Sequence, residues 1–263
     1  MTTMSAMDMF WAAPPISRTL AAATLITSVA VYTGIIPYYW IMLYPPLLFK
    51  LPPQLWRIPT SFLLTGPQLG MIFDTYFIYT YGSKLETASS RFSQPGDFAT
   101  YLGFVALAIV ALNTFLTGAT IFTAALVLAL AYTSSQDDRG GKATFFVVTI
   151  PSVMVPYAML LMTLITSGTG PTIVQATGLI AAHLHDFLTR LWPAFGGGRN
   201  MLPTPMFVRR LFQTTEATTT NRTYGTALNP AQRAAGAATG ASTGGVLPES
   251  WRSRGSGHRL GGD

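Results

Sequence analysis

The sequence has no cysteine among its 263 residues, so it can form no disulfide, no thiolate zinc site and no cysteine nucleophile. Charge is scarce as well: only 10% of the residues are Asp, Glu, Lys or Arg, against about a quarter in soluble globular proteins. A phosphate-binding loop of the form Gly-x-x-x-x-Gly-Lys-Ser/Thr is also missing, so any pulling force has to come from a partner. We expect no bound cofactor and no metal.

Apolar residues take the place of the missing charge. Hydrophobic residues make up 49% of the chain and the mean hydropathy is positive, which is typical of a multi-spanning membrane protein. Beyond Trp192 the composition changes to Gly, Thr, Ser and Arg, so we divide the chain into a six-span membrane domain, residues 1–192, and a mostly disordered cytosolic tail, residues 193–263. Residues 1–17 hold one acid and no Lys or Arg, unlike a cleaved signal peptide, so we expect the first span to be retained.

Six apolar stretches predict six transmembrane helices and an all-α fold. An even number of spans places both termini on one side of the membrane. Six basic residues fall on that side and two on the other, so the positive-inside rule makes both termini cytosolic. The stretches are Leu20–Ile36, Ile58–Tyr81, Tyr101–Leu116, Thr120–Thr133, Phe145–Ile165 and Thr172–Trp192; the six basic residues are Arg18, Lys84, Arg91, Arg139, Lys142 and Arg190, and the two are Lys50 and Arg57.

The third and fourth stretches are short for a bilayer. They share about 34 residues around a hinge at Asn113–Gly118. Two helices of roughly 15 residues are each about 22 Å long, below a hydrocarbon core near 30 Å, and short helices thin the bilayer, sit shallow or are shielded by neighbours. The alternative is that Thr and Ser at the ends lengthen each helix by a turn.

Polar residues interrupt the second stretch. Polar groups inside a membrane are expensive and commonly functional. We therefore interpret Gln68, Asp74 and Tyr76 as the lining of a water-filled polar groove. The alternative is one buried carboxylate capped by a neighbouring helix.

The sixth stretch combines small residues with a histidine. Gly178 and Ala182 are four residues apart and allow another helix to approach closely, and His183 lies beside them. A histidine in this position suggests a general base for a serine on a facing helix. From Ala124 to Ala131 the fourth stretch has no hydroxyl, and Ser134 and Ser135 come only after its end, so a hydrogen-bonded packing role for His183 is the simpler interpretation.

Several short elements, taken in order between about Ile16 and Phe212, resemble the Derlin family of rhomboid-fold pseudoproteases. They are Leu55-Trp56-Arg57-Ile58-Pro59-Thr60-Ser61-Phe62, Ser83-Lys84-Leu85-Glu86-Thr87, Ala182-His183-Leu184 and Gly197-Gly198-Arg199-Asn200-Met201-Leu202-Pro203-Thr204-Pro205-Met206-Phe207. The resemblance implies a six-transmembrane-helix rhomboid-like bundle in the endoplasmic-reticulum membrane. It also implies a non-proteolytic protein, because the Gly-x-Ser-Gly nucleophile of active rhomboids is absent, and Gly70 and Asp74 stand where those enzymes have His-x-x-x-Asn.

The resemblance further implies a role for individual residues. Trp56 and Arg57 match the motif that anchors the first loop at the lumenal interface, and Gly178 matches the first glycine of a family Gly-x-x-x-Gly whose second position is Ala182 here. In this interpretation the protein assists the extraction of misfolded membrane or lumenal proteins for degradation. Short spans and a polar groove between the second and fifth helices would thin and wet the bilayer locally.

The tail ends in residues that resemble an SHP box, the short peptide by which Derlins bind the AAA ATPase called valosin-containing protein. Gly255, Gly257 and Leu260 fit the pattern Gly-x-Gly-x-x-Leu within residues 251–261, and Trp251 supplies an aromatic four residues before the first glycine. Family boxes place the aromatic one or two residues before that glycine. The alternative is a flexible Gly-Ser tail with an accidental Leu.

The expected partners follow from this resemblance. They are misfolded substrates, valosin-containing protein, an endoplasmic-reticulum ubiquitin ligase complex, the lipid bilayer and a possible homo- or hetero-oligomer, with no nucleic acid. Two other functions remain open on the sequence alone. One is an active rhomboid intramembrane protease using Ser134 or Ser135 with His183, and the other is a small-solute transporter built around Asp74.

Overall fold

The structure, a computed structural model, describes residues 6–48, 50–145, 148–196 and 201–216, and it is mostly helical. Residues 1–217 form one compact unit. In chain order the helices are α1 (Ala6–Ala12), α2 (Pro15–Tyr32), α3 (Tyr38–Ile41), α4 (Pro45–Leu48), α5 (Arg57–Thr60), α6 (Leu69–Ala88), α7 (Asp97–Leu116), α8 (Thr123–Asp137), α9 (Val155–Ser167), α10 (Thr169–Asp186), α11 (Trp192–Phe195) and α12 (Met206–Glu216). A 3₁₀ turn, Ser152–Met154, leads into α9, and a π-helical turn, Phe187–Leu191, joins α10 to α11.

Each of the six predicted apolar stretches overlaps one of the long helices α2 and α6 to α10. The boundaries differ where other local chemistry takes over. The second stretch is not one helix: it begins in the short α5, continues as irregular chain over residues 61–68, and becomes helical again only at Leu69. Pro67 and the positive φ of 55° at Gln68 account for this interruption, because neither fits the interior of a helix.

The fifth stretch contains a feature that an all-α prediction excludes. Strands β1 (Lys142–Phe145) and β2 (Val148–Pro151) pair antiparallel, with Ala143 opposite Ile150. The prediction of a helix starting at Phe145 is therefore wrong, and α9 starts at Val155. β-Branched residues in the second strand favour extended chain, and Pro151 and Pro156 fit the start of a helix better than its interior.

The helix of the third predicted stretch, α7, is longer than predicted. α7 has 20 residues, because it begins at Asp97, and it ends at Leu116, within the proposed hinge at Asn113–Gly118. Asn113 lies fully buried inside it and donates from Nδ2 to Thr177 Oγ1 of α10 at 2.7 Å. α8, with 15 residues, keeps the short length that the sequence indicated.

α8 forms the centre of the bundle. Its residues from Ala125 to Ser135 are buried, and it packs against α10, α6, α9 and α7, while α2 packs on α6. Small side chains such as Ala125 and Ala129 let these neighbours come close. The outer faces of the surrounding helices are apolar and exposed, with Leu107 of α7 at 66% and Ile165 of α9 at 73%.

Length and apolarity distinguish two of these outer helices. Of the described residues, α7 is the one helix long and apolar enough by itself to cross a membrane, while the apolar helix Ser152–Ser167 is shorter. At about 1.5 Å per residue, the 20 residues of α7 measure about 30 Å and the 13 of α9 about 20 Å.

Candidate functional site

Arg57 is buried at the base of the first loop, with 2% of its surface exposed. Its Nη1 donates to the carbonyl oxygens of Tyr39 and Met42 at 2.5 and 2.9 Å, and its Nε donates to Gln54 Oε1 at 2.7 Å. The guanidinium also lies 4.8 Å from the centre of the Tyr39 ring. The arginine therefore binds the carbonyls at the end of α3 and holds the loop in one conformation.

The neighbouring Trp56 is 46% exposed, and its carbonyl accepts hydrogen bonds from Thr60. Other exposed aromatic residues share this loop, namely Tyr38, Tyr39, Trp40 and Tyr44. Aromatic rings with one apolar and one polar side favour the headgroup layer of a bilayer. The loop has the surface that an interfacial element needs, and its placement on the lumenal side stays a prediction.

The residues predicted to line the polar groove lie at the start of α6 and one turn or more into it. Gln68 is exposed and precedes the helix, and Tyr76 is 58% exposed. Asp74 is half-buried, and its Oδ2 accepts from the backbone N–H of Gly66 at 3.3 Å. The carboxylate thus helps to close the turn that enters α6; Gln68 precedes this helix, and Asp74 and Tyr76 belong to it.

Gly178 marks the closest contact between helices. A Cβ atom added there would overlap the backbone carbonyl of Ala125 in α8, so only glycine allows α10 to lie at this distance. Ala182, one turn later, is 1% exposed and belongs to the same core cluster. The two small residues therefore face the central helix.

His183 belongs to the same turn of α10 but is exposed. Its Nδ1 is 2.8 Å from the hydroxyl of Tyr132. Ser135 Oγ donates to the Tyr132 carbonyl at 2.7 Å, and Ser134 is buried within α8. The histidine thus has a tyrosine as its hydrogen-bond partner.

Glu86 makes a contact that sequence reasoning noted only as part of a family motif. Its carboxylate accepts from the backbone N–H groups of Ile16 and Ser17 at 2.9 and 2.8 Å, and from Ser17 Oγ at 2.6 Å. The first N–H groups of a helix have no partner within the helix. Glu86 of α6 therefore caps α2 from a neighbouring element and complements the positive end of its dipole.

A cluster of ion pairs connects the C-terminal ends of the helices α6, α8 and α10. Arg91 pairs with Asp137 and, at 2.8 Å, with Asp186, which also pairs with Arg190 at 3.3 Å. Asp186 and Arg190 are four residues apart in the sequence. Arg91, in contrast, comes from a loop 95 residues away from Asp186, and a single sequence gives no sign of that pairing.

Lys84 forms a second ion pair at this end, with Asp138 at 2.8 Å. The hydrogen bond and the charge of Lys84 hold the pKa of the Asp138 carboxyl below its usual range. Both side chains remain well exposed, at 45% and 38%, so water and salt screen the pair.

Two predicted elements fall outside the described residues. They are the Gly197–Asn200 part of the family motif and the tail residues Trp251, Gly255, Gly257 and Leu260. The chain immediately after the first of these is described: Thr204 Oγ1 donates to Asp97 Oδ1, and Val208 and Phe212 of α12 lie against Gly96. Residues beyond Trp192 therefore pack on the start of α7.

Long helices with exposed apolar outer faces and polar bonds buried between them are typical of a helical membrane protein. A family profile described as the Der1-like family matches residues 13–206. The chain belongs to that family, and the sequence-based prediction of a Derlin-like protein is confirmed at this level.

Individual relatives show the same similarity at low identity. Derlin-1 of Homo sapiens is 28% identical over 209 residues, which cover 77% of this chain and 81% of the relative. Derlin-1 of Arabidopsis thaliana is 29% identical over 201 residues, 75% of this chain and 74% of the relative. Derlin-1.2 of Zea mays is 27% identical over 206 residues, 75% of this chain and 81% of the relative.

Family membership establishes the broad class of this protein. It is a multi-pass helical protein of the endoplasmic-reticulum membrane, and its family implies a role in endoplasmic-reticulum-associated degradation. Derlins are non-proteolytic rhomboid-like proteins. The alternative of a protease using Ser134 or Ser135 is therefore excluded, and His183 is not a catalytic base.

Proposed function

We propose that this protein is a non-proteolytic, rhomboid-like factor that assists the retrotranslocation of misfolded membrane or lumenal proteins through a thinned and wetted region of the bilayer. In this proposal the long helices α2 and α6 to α10 cross the membrane as six spans, and both termini are cytosolic. The basic residues on the terminus side support this orientation.

The observation that carries the proposal is the side of the bundle between α6 and α9. Both helices pack on α8, around a cluster that includes Phe77, Ile78 and Met159, but among the described residues they pack only slightly on each other. α9 is about 20 Å long and presents apolar side chains such as Leu161 and Ile165 outward. A short lipid-facing helix draws the two bilayer surfaces together.

In this proposal the polar groove lies between α6 and α9. Gln68, Asp74 and Tyr76 supply an amide, a carboxylate and a phenol along α6, of which the amide and the phenol belong to exposed residues. Each unsatisfied backbone polar group costs several kcal/mol in hydrocarbon. The polar side chains in and before the first turns of α6, with the water they bind, would lower that cost for a substrate segment.

Force would come from a recruited motor. The tail residues Trp251, Gly255, Gly257 and Leu260 would bind valosin-containing protein, with the glycines lying along a sheet edge and the two large side chains filling pockets. An endoplasmic-reticulum ubiquitin ligase complex, and further copies or other Derlins, would complete the assembly.

The loop held by Arg57 offers a direct test of the membrane part. Trp56→Ala and Arg57→Gln are expressed in cells that lack other Derlins, and the half-life of a misfolded membrane protein is followed by pulse-chase. We expect both to slow degradation, because Arg57 holds the loop and Trp56 anchors it. Arg139→Gln, which alters an exposed arginine in another loop, serves as the control, and an unchanged half-life in both loop variants would count against the proposal.

The tail requires its own test. Removal of residues 253–263 should abolish copurification of valosin-containing protein from detergent extracts while leaving the membrane domain intact. Leu260→Ala in the full chain should reduce it, and Leu247→Ala, in the same tail but outside the motif, should not. Equal recovery of the ATPase with all variants would refute the assignment of the tail.

A further inference from the structure

A polar cavity of about 560 Å³ opens at the end of the bundle where α7 begins and α8 and α10 end. The segment before α7, the end of α8, the π-helical turn and α12 contribute to its walls. Three arginines, Arg91, Arg190 and Arg209, line it together with Asp97 and Asp137. The proposed function gives none of these residues a ligand-binding role.

The carboxylates around this cavity already have partners. Asp137 binds Arg91 and accepts from Ser89 Oγ, and Asp186, behind the wall, binds Arg91 and Arg190. Asp97 has both oxygens occupied, since it accepts from Thr204 Oγ1 and, at 3.0 Å, from the backbone N–H of Gln94. The acidic side chains therefore bind donors of the protein itself.

The donors that remain are guanidinium N–H groups. Arg91 Nη2 and Arg209 Nε are buried and have no hydrogen-bond partner among the described residues, and both side chains line the same cavity. Buried polar atoms are paired in most protein structures, and a charged group left unpaired is especially unfavourable. These two unpaired donors need a hydrogen-bond acceptor that the described residues do not supply.

We propose that this cavity binds the phosphoryl group of a small polar ligand. A phosphate offers several acceptor oxygens and negative charge, and guanidinium groups bind it in forked geometry. The volume lies within the range of about 300–1,000 Å³ typical of small-molecule sites, which is more than a bare phosphate ion fills. The ligand is a phosphorylated compound, either the headgroup of an anionic phospholipid or a free organophosphate.

The position of the cavity explains why both sources fit. It lies at the ends of long helices whose outer faces are apolar, so it is next to the headgroup layer of one leaflet and also open to the aqueous phase. Arg190 has 53% of its side chain exposed and can meet a ligand as it enters. Arg209, on α12, contributes another part of the wall.

The test uses the purified full chain in neutral detergent and titrates inositol 1,4,5-trisphosphate by calorimetry. The variant Arg209→Gln removes one unpaired donor without breaking an ion pair seen in the structure. One charge-assisted hydrogen bond corresponds to roughly a tenfold change in dissociation constant, and we expect at least that weakening. Arg210→Gln, the next residue on the same helix and outside the cavity lining, should bind like the wild type.

A second variant and a second readout keep the result interpretable. Arg190→Gln should also weaken binding about tenfold, and the unchanged melting temperature of each variant shows that it is folded. Absence of binding by the wild type, or an equal loss in Arg209→Gln and Arg210→Gln, would overturn the proposal. The source of the phosphoryl group is tested in nanodiscs that contain phosphatidylcholine and phosphatidylinositol 4-phosphate, with bound lipid measured by native mass spectrometry. Enrichment of phosphatidylinositol 4-phosphate on the wild type but not on Arg209→Gln identifies the lipid as the source. Binding of the soluble probe without this enrichment identifies a free organophosphate.

Discussion

At Gly178 the backbones of α10 and α8 come into contact, and a side chain of any size has no room there. We expect Gly178→Ala to lower the free energy of unfolding by about 1–3 kcal/mol, because the added methyl group forces the two helices apart. Thermal unfolding of the purified protein in detergent measures the effect.

Gly103 provides the control for this substitution. It lies in the middle of α7, and a Cβ added there meets nothing within 4 Å. Gly103→Ala should therefore raise the stability by roughly 0.5–1 kcal/mol, since alanine loses less backbone entropy in a helix. Opposite signs for the two variants separate close packing from helix propensity, and a stabilising Gly178→Ala would contradict the contact.

Single residues were predictable from sequence where their type is unusual for their surroundings. Gly178 could be named because a small residue in an apolar helix allows a close helix contact, whereas Arg57 was named through the resemblance to the Derlin family. Asn113 was misplaced as a hinge residue. Its partner, Thr177, lies in a helix 64 residues later, and a single sequence contains no sign of that pairing.

At the scale of the helix, the cap on α2 gives a sharp test. Glu86→Gln keeps the shape of the side chain but replaces one acceptor oxygen by an amide donor and removes the charge. The two backbone N–H groups and the Ser17 hydroxyl then share one acceptor, and we expect a loss of about 1.5–3 kcal/mol. Thermal unfolding in detergent measures it.

The neighbouring Thr87 is the matched position, because it is exposed and its hydroxyl binds within its own helix. Thr87→Ala should leave the melting temperature nearly unchanged. If Glu86→Gln is equally harmless, the contact between α6 and the start of α2 does not stabilise the fold.

The pair of Lys84 and Asp138 joins the end of α6 to the chain after α8, and it makes stability depend on pH. The folded pKa of Asp138 is lowered, so its contribution is present above the unfolded pKa near ~3.9 and is lost as the pH falls through the folded value. Melting temperatures of the wild type and of Lys84→Gln should therefore differ at pH 6 and converge toward pH 3. The pair is exposed, so 0.5 M salt should reduce the difference at pH 6, and a difference that persists at low pH and high salt would rule out this origin.

Apolar periodicity located the long helices but not the elements between them. Hydropathy does not distinguish a strand from a helix in a short run, so β2 and the end of β1 were taken as part of the fifth span. The irregular chain at residues 61–68 was foreseeable from Pro67, whereas α12 was hidden in a polar segment. Its docking depends on Val208 and Phe212 reaching Gly96, a contact of tertiary structure.

For the molecule as a whole, the bundle is asymmetric. α7 and α9 both expose apolar side chains, yet they differ in length. α7 has 20 residues and α9 has 13, so α7 is about 10 Å longer. The thickness of a hydrocarbon core, near 30 Å, matches the length of α7 and exceeds the length of α9. The sequence predicted that some spans are short, but it predicted this for the third span as well as for the fourth.

This asymmetry predicts that the bilayer is thinner beside α9 than beside α7. An electron cryomicroscopy map of the protein in a phosphatidylcholine nanodisc measures both distances in one particle, so the α7 side is the internal control. We expect the headgroup layers to approach each other beside α9, because hydrocarbon that extends past a short helix would otherwise meet polar chain ends. Longer acyl chains should increase the difference between the two sides. A uniform thickness around the whole perimeter would mean that the lipid does not follow the short helix, and the proposed route for substrates would lose its physical basis.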